Sequence, residues 1–150
     1  MLKLKKLIAF SNLVFVFLFS DFAFAQSEGI IKYRKNVMKS TAGHMGAIVD
    51  ILKNNLAIKG HLVEHARSLM QNSKMTISIF PNGSNLGLTN AKQSIWENWS
   101  KFENASHAFV DESTRLLDMV EKGDLKEIAK QVRKTAKTCG GCHRYFRKRD

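Results

Sequence analysis

Residues 92–121 read KQSIWENWSKFENASHAFVDESTRLLDMVE. Within them Ile95, Trp99, Phe102, Ser106, Phe109, Ser113, Leu116 and Val120 recur at alternating intervals of four and three. That is the spacing of a helix with one seam facing partner helices. Four large side chains buried on that seam would contribute about 8 kcal/mol, at about 2 kcal/mol each, before chain entropy is charged. Gly123-Asp124 stops the pattern, and Asp124 is placed to cap a following helix with Glu127 at the third position of a capping box. Along that last helix Leu125, Ile128, Val132, Thr135, Cys139 and Cys142 continue the seam.

Two more segments of helical period lie upstream. Ile31, Met38, Met45, Ile48 and Leu52 mark one face over about 29–54, where Asn54-Asn55 and then Gly60 interrupt it. Leu62, Ala66, Leu69 and Met70 mark a second over about 58–78. Its end, Ile77-Ser78-Ile79-Phe80, alternates like a strand but has no partner strand. Phe80-Pro81-Asn82-Gly83-Ser84-Asn85 through Asn90 is dense in turn formers and reads as a loop. Four helices with mostly short connections predict an all-α fold, an antiparallel four-helix bundle.

Composition agrees. The chain has 150 residues, one Pro, nine Gly and two Cys. That is one domain, too few turns for a β-sandwich, and no disulfide scaffold. It is too short for a TIM barrel or a two-domain dehydrogenase, and it carries neither GxGxxG nor GxxxxGK[ST].

The first 25 residues are expected to lie outside the fold. Lys3, Lys5 and Lys6 precede the apolar run Leu7–Phe19, and Ala23-Phe24-Ala25 supplies small residues at spacing two. This is a secretory signal peptide with its cut after Ala25, leaving residues 26–150 as the mature domain. Ser11, Asn12 and Asp21 interrupt or flank a run already short for a span of about 20 residues, which argues against a membrane anchor. The full chain carries 24 Lys+Arg against 13 Asp+Glu, and losing the leader leaves a net charge of about +9. An acidic partner surface suits that charge; nucleic acid does not suit an exported protein.

Near the end stands Cys139-Gly140-Gly141-Cys142-His143. C-x-x-C-H is the attachment signature of c-type haem. On a helix, residues three apart share a face, so Cys139 and Cys142 can each add to one haem vinyl group. His143, four residues after Cys139, projects from the same side and sets its imidazole under the iron. Two glycines inside a helix cost about 1 kcal/mol each, and here they admit the macrocycle to the backbone. A thioredoxin-like pair would need a βαβ setting, and a zinc site a second ligand pair. A disulfide between residues so close would staple almost nothing. One covalent haem c per chain is the expectation, bound through Cys139 and Cys142.

At this point the chain resembles a family, the class II c-type cytochromes, and most closely cytochrome c-prime. The resemblance covers 29–149. It rests on the haem motif at the C-terminal end of the last helix, Lys32-Tyr33-Arg34 with Met38-Lys39, the Phe80-Pro81-x-Gly83-Ser84 loop, and Ile95-Trp96. It implies that His143 is the proximal ligand of the iron, that Arg34 lies against a haem propionate, and that Arg147 stands beside the proximal histidine. It also implies a homodimer through the first two helices and a periplasmic, non-enzymatic protein. Met38 falls at the distal position. If its sulfur bonds the iron, the haem is six-coordinate and the protein a pure electron carrier. If Met38 only packs there, the iron is five-coordinate and binds NO or CO; the reading favours this arrangement, with electron transfer to a redox partner, acidic in character, alongside it.

Other features compete for attention. His61-Leu62-Val63-Glu64-His65 matches an inverted zinc-protease pattern, but the chain is short for a protease and the polar face of a helix explains it. His44 and His107 have no ligand-like context. A haem-free helical interaction module remains the alternative of another class.

Overall fold

The computed structural model describes residues 2–149, with side chains from Ser27 onward. The expected leader, 1–25, lies outside the residues whose side chains are described. The elements are α1 (Leu2–Lys53), α2 (His61–Met75), α3 (Ser94–Glu97), α4 (Trp99–Lys122) and α5 (Leu125–Phe146). Four long helices form the bundle, and α3 is a single turn leading into α4. Among the described residues no strand occurs, only an isolated antiparallel bridge between Ala91 and Arg147.

α4 is the central member, packed on both α2 and α5, while α1 lies on α2 and meets α5 only sparsely. The seam residues of α4 divide between two apolar clusters. The upper one joins Ile48 and Ile51 of α1, Leu62, Ala66 and Leu69 of α2, Phe109 and Leu116 of α4, and Ile128 and Val132 of α5. The lower one joins Val37, Ile79, Phe80, Ile95, Phe102 and Phe146. Its rings meet edge-on, Phe102 with Phe80 at 4.8 Å and with Phe146 at 5.5 Å between centroids. Between α2 and α4, the buried Ser113 hydroxyl donates to the Ser73 hydroxyl at 2.9 Å.

Helix ends follow local chemistry. Gly123 adopts φ +81°, and its N–H reaches the carbonyls of Met119 and Val120, closing α4 in the left-handed conformation that glycine tolerates best. Asp124 then caps α5, its side chain accepting from the N–H groups of Lys126 at 2.9 Å and Glu127 at 3.2 Å. Glu127 pairs with Lys130.

Three expectations change at the margins. α1 runs N-terminally past the expected start near 29. The second helix is shorter than 58–78, because the chain tightens at Thr76, whose N–H turns to the Ser73 carbonyl, and Ile77–Phe80 forms turns rather than a strand. The helix expected over 92–121 breaks at Asn98, at φ −126° and ψ 48°, where its amide also reaches the Ser94 carbonyl. Side chains of this type compete with the helix for backbone partners.

Candidate haem-binding site

Cys139 and Cys142 sit on the inner side of α5, both half-buried and not joined to each other as a disulfide. They straddle the junction of the two clusters: Cys139 packs against the upper one and Cys142 against the lower. α1 places a methionine at each level, Met45 on the upper cluster and Met38 on the lower. α1 meets α5 only sparsely along this junction.

Burial pushes both thiols up. Cys142, further raised by its neighbour Cys139, reaches about 11, and Cys139 moves in the same direction through burial. Reactive redox cysteines and metal thiolates are held low instead. Among the described residues no three His, Cys, Asp or Glu side chains gather as a metal site. The redox-pair reading therefore loses its support.

His143, on the last turns of α5, remains exposed at its edge. Desolvation of its inner side, and then the positive charge of Arg147, lower its pKa. A neutral imidazole is the form that ligates a metal. Arg147 ends α5, its N–H bonded to the His143 carbonyl at 3.0 Å. The strand-like stitch behind it includes Lys92 N–H to Phe146 O at 2.9 Å and Lys148 N–H to Asn90 O at 2.7 Å.

Arg34 is buried at 3 % exposure. Its guanidinium donates to the Ile79 carbonyl, the Ser84 hydroxyl and carbonyl and the Thr89 hydroxyl, at 2.8–3.3 Å. It also lies 4.5 Å over the Phe80 ring. The arginine thus holds the 79–89 loop against α1, one helical turn before Met38.

These residues fit a haem on two counts. A Cβ built on Gly140 or Gly141 would meet nothing within 4 Å, so no protein contact demands the two costly glycines. The Ser106 hydroxyl, between Phe102 of the lower cluster and Phe109 of the upper, is buried without a hydrogen-bond partner. Such an orphan costs about 1–3 kcal/mol and marks a place that a group other than the polypeptide completes. A cleft of about 560 Å³ runs between α4 and α5, with Ala105, Thr138, Gly141 and Cys142 in its lining.

Residues 29–147 match the family model described as Cytochrome C'. The chain belongs to that family. It is 30% identical over 124 residues to cytochrome c' of Rhodospirillum rubrum, covering 82% of this chain and 84% of that one. Its fold superposes on cytochrome c prime from Shewanella frigidimarina with a TM-score of 0.77 at 26% identity, over 82% of this chain and 97% of that one. A variant of cytochrome c prime from Alcaligenes xylosoxidans, solved as a nitric oxide complex, gives a TM-score of 0.77 at 23% identity, covering 83% and 97%. The family carries haem c attached through two cysteines, and Cys139 and Cys142 are the two this chain has.

Two features escaped the reading of the sequence. Ser106 passed as an ordinary seam residue, since its missing partner exists only in three dimensions. His65 pairs across the helices with His44, Nδ1 to Nδ1 at 3.0 Å; the H-x-x-E-H spacing pointed along α2 instead, toward His61, which is exposed.

Proposed function

We propose that the protein is an exported, periplasmic haem c protein that binds small uncharged gases such as NO and CO and exchanges electrons with a partner protein, with no catalysed reaction of its own. The carrying observation is that Met38 of α1 and Cys142 of α5 pack against one aromatic cluster. The distal candidate and a haem attachment point thus face one compartment. The bound haem supplies one-electron exchange and an iron coordination position.

The chain's own groups set what reaches that compartment. His143, held neutral, offers a ring nitrogen from α5. Arg147 places a positive charge beside it, which favours the haem propionates and disfavours the ferric charge. Arg34 fixes the loop that carries Phe80 into the lower cluster. Met38, Phe80 and Phe102 give an apolar wall, which admits an uncharged diatomic and disfavours anions. Single-residue variants of the Alcaligenes cytochrome c prime hold nitric oxide and carbon monoxide, which supports the same ligand class here.

Lys126, Lys130, Arg133, Lys134, Lys137 and Arg144 lie exposed or at the rim of α5, with Glu127 as their acidic neighbour. That balance favours an acidic redox partner and a salt-sensitive association. Val49, Leu56 and Ile58 are exposed apolar residues at the α1–α2 turn, which supports a homodimer meeting through these helices.

Absorption spectra of the purified ferric and ferrous protein, with and without CO, test the reading. High-spin spectra that shift sharply with CO are expected. A far-red sulfur-to-iron band with no CO response would put Met38 on the iron and leave a pure electron carrier. Protein recovered from the periplasm should begin at Gln26; an intact Met1 would refute the leader.

A further inference from the structure

His44 of α1 and His65 of α2 meet with their Nδ1 atoms 3.0 Å apart and their ring centroids 5.3 Å apart, the planes inclined by 49°. Both rings are half-buried. The haem-site reading uses neither of them, and among the described residues α1 and α2 are otherwise tied by apolar packing and by hydrogen bonds from Asn72 to Ser40 at 3.1 Å and from the Tyr33 hydroxyl to the Met75 sulfur at 3.7 Å.

The centroid spacing is the informative quantity. Two imidazoles bound through one ring nitrogen each to a tetrahedral zinc ion, at about 2.05 Å, place their centroids about 5.2 Å apart. The helices already hold the rings at that separation. In the metal-free pair the rings point head-on and share one hydrogen between the two Nδ1 atoms. To ligate, each ring turns by about a third of a right angle, the shared hydrogen leaves Nδ1, and each ring keeps one proton on Nε2. Burial, and then the neighbouring ring of His65, lower the pKa of His44. Neutral imidazoles are preferred ligands for zinc and copper.

We propose that His44 and His65 form a helix-bridging site for a zinc-class divalent ion, with water completing the coordination, and that the bound ion clamps α1 to α2. α1 carries Met38 two turns away, so occupancy of the clamp stiffens the helix that forms the apolar wall. The site is built from α1 and α2 and uses no residue of the haem motif on α5.

The test is calorimetric titration of the haem-loaded protein with zinc, in which the haem cysteines are already consumed. One ion per chain is expected, with affinity falling at least tenfold in His44→Ala and in His65→Ala and unchanged in His61→Ala. Zinc should raise the thermal midpoint of the wild type and not of the two variants. His44→Asn, which keeps a polar side chain in place, guards against a folding defect and should behave as His44→Ala does. Zinc K-edge absorption should report two imidazole nitrogens. Absence of zinc binding would leave a proton-sharing pair only and overturn the proposal. So would affinity lost in His61→Ala but kept in His44→Ala, which would move the ion onto the face of α2 alone.

Discussion

Replacing Arg34 tests the lower half of the bundle most directly. Its guanidinium makes three hydrogen bonds of 2.8–2.9 Å and one of 3.3 Å, all to neutral oxygens of the 79–89 loop, and stacks on Phe80. A hydrogen bond to a charged group contributes about 1.5–3 kcal/mol, and stacking on a ring adds about 0.5–2 kcal/mol. Against these stands the cost of keeping a guanidinium desolvated, several kcal/mol per ion. Two acceptors also keep other partners, since the Ser84 hydroxyl donates to the Pro81 carbonyl and the Thr89 hydroxyl accepts from the Ala91 N–H. Arg34→Ala is therefore expected to cost about 3 kcal/mol. Arg34→Lys, which keeps the charge but cannot reach both sides of the loop, should recover less than half of that. Urea unfolding of the haem-loaded protein, followed by far-ultraviolet circular dichroism, reads the difference. At a slope of about 2 kcal/mol per molar, the alanine variant unfolds about 1.5 M earlier. Limited proteolysis should cut the variant within 79–91 before the helices. A loss below 1 kcal/mol, or full recovery by lysine, would refute the argument and leave the loop's own turns as what holds it.

Asp124→Ala removes the α5 cap and should cost about 1 kcal/mol in thermal or urea unfolding, with Asp124→Asn close to wild type. Ser73→Ala and Ser113→Ala break one buried hydroxyl pair, so the double variant should lose less than the two singles added, a coupling of about 0.5–1 kcal/mol in a double-mutant cycle. His44 has a pKa below its ordinary 6.5, so between that lowered value and 6.5 the unfolded chain binds more protons than the folded one. Stability is then complete above about 6.5 and falls as pH drops through that value, a slope that His44→Gln should flatten in unfolding curves taken from pH 7 to 5. Cys139→Ala or Cys142→Ala alone should leave one thioether and haem that resists acid–acetone extraction; the double variant should release all of it, and covalent haem retained there would overturn the attachment.

The α4 seam was legible because its partners are long and apolar, and period alone shows which residues they cover. Asp124 was legible too, since capping is a contact between near neighbours in the chain. The haem motif needed only five consecutive residues. The break at Asn98 was hidden because the seam spacing runs through it undisturbed from Ile95 to Phe102. Arg34 was read by resemblance as a haem-facing cation. Its bonds to the 79–89 loop depend on a chain separation of 45–55 residues, which no local pattern encodes. The His44–His65 contact is likewise a product of where α1 crosses α2.

Mechanically, α5 is a beam held at both ends. At its start the Asp124 carboxylate grips two N–H groups, and at its finish Lys92 and Asn90 hold the backbone of Phe146 and Lys148. Between these clamps, the two residues with the least resistance to bending are Gly140 and Gly141. A beam fixed this way cannot slide along its axis, so a load applied at its middle appears as flexure at the soft point. Any displacement of His143 relative to Cys139 is therefore a hinge motion about the glycines, with the two ends of the helix standing still.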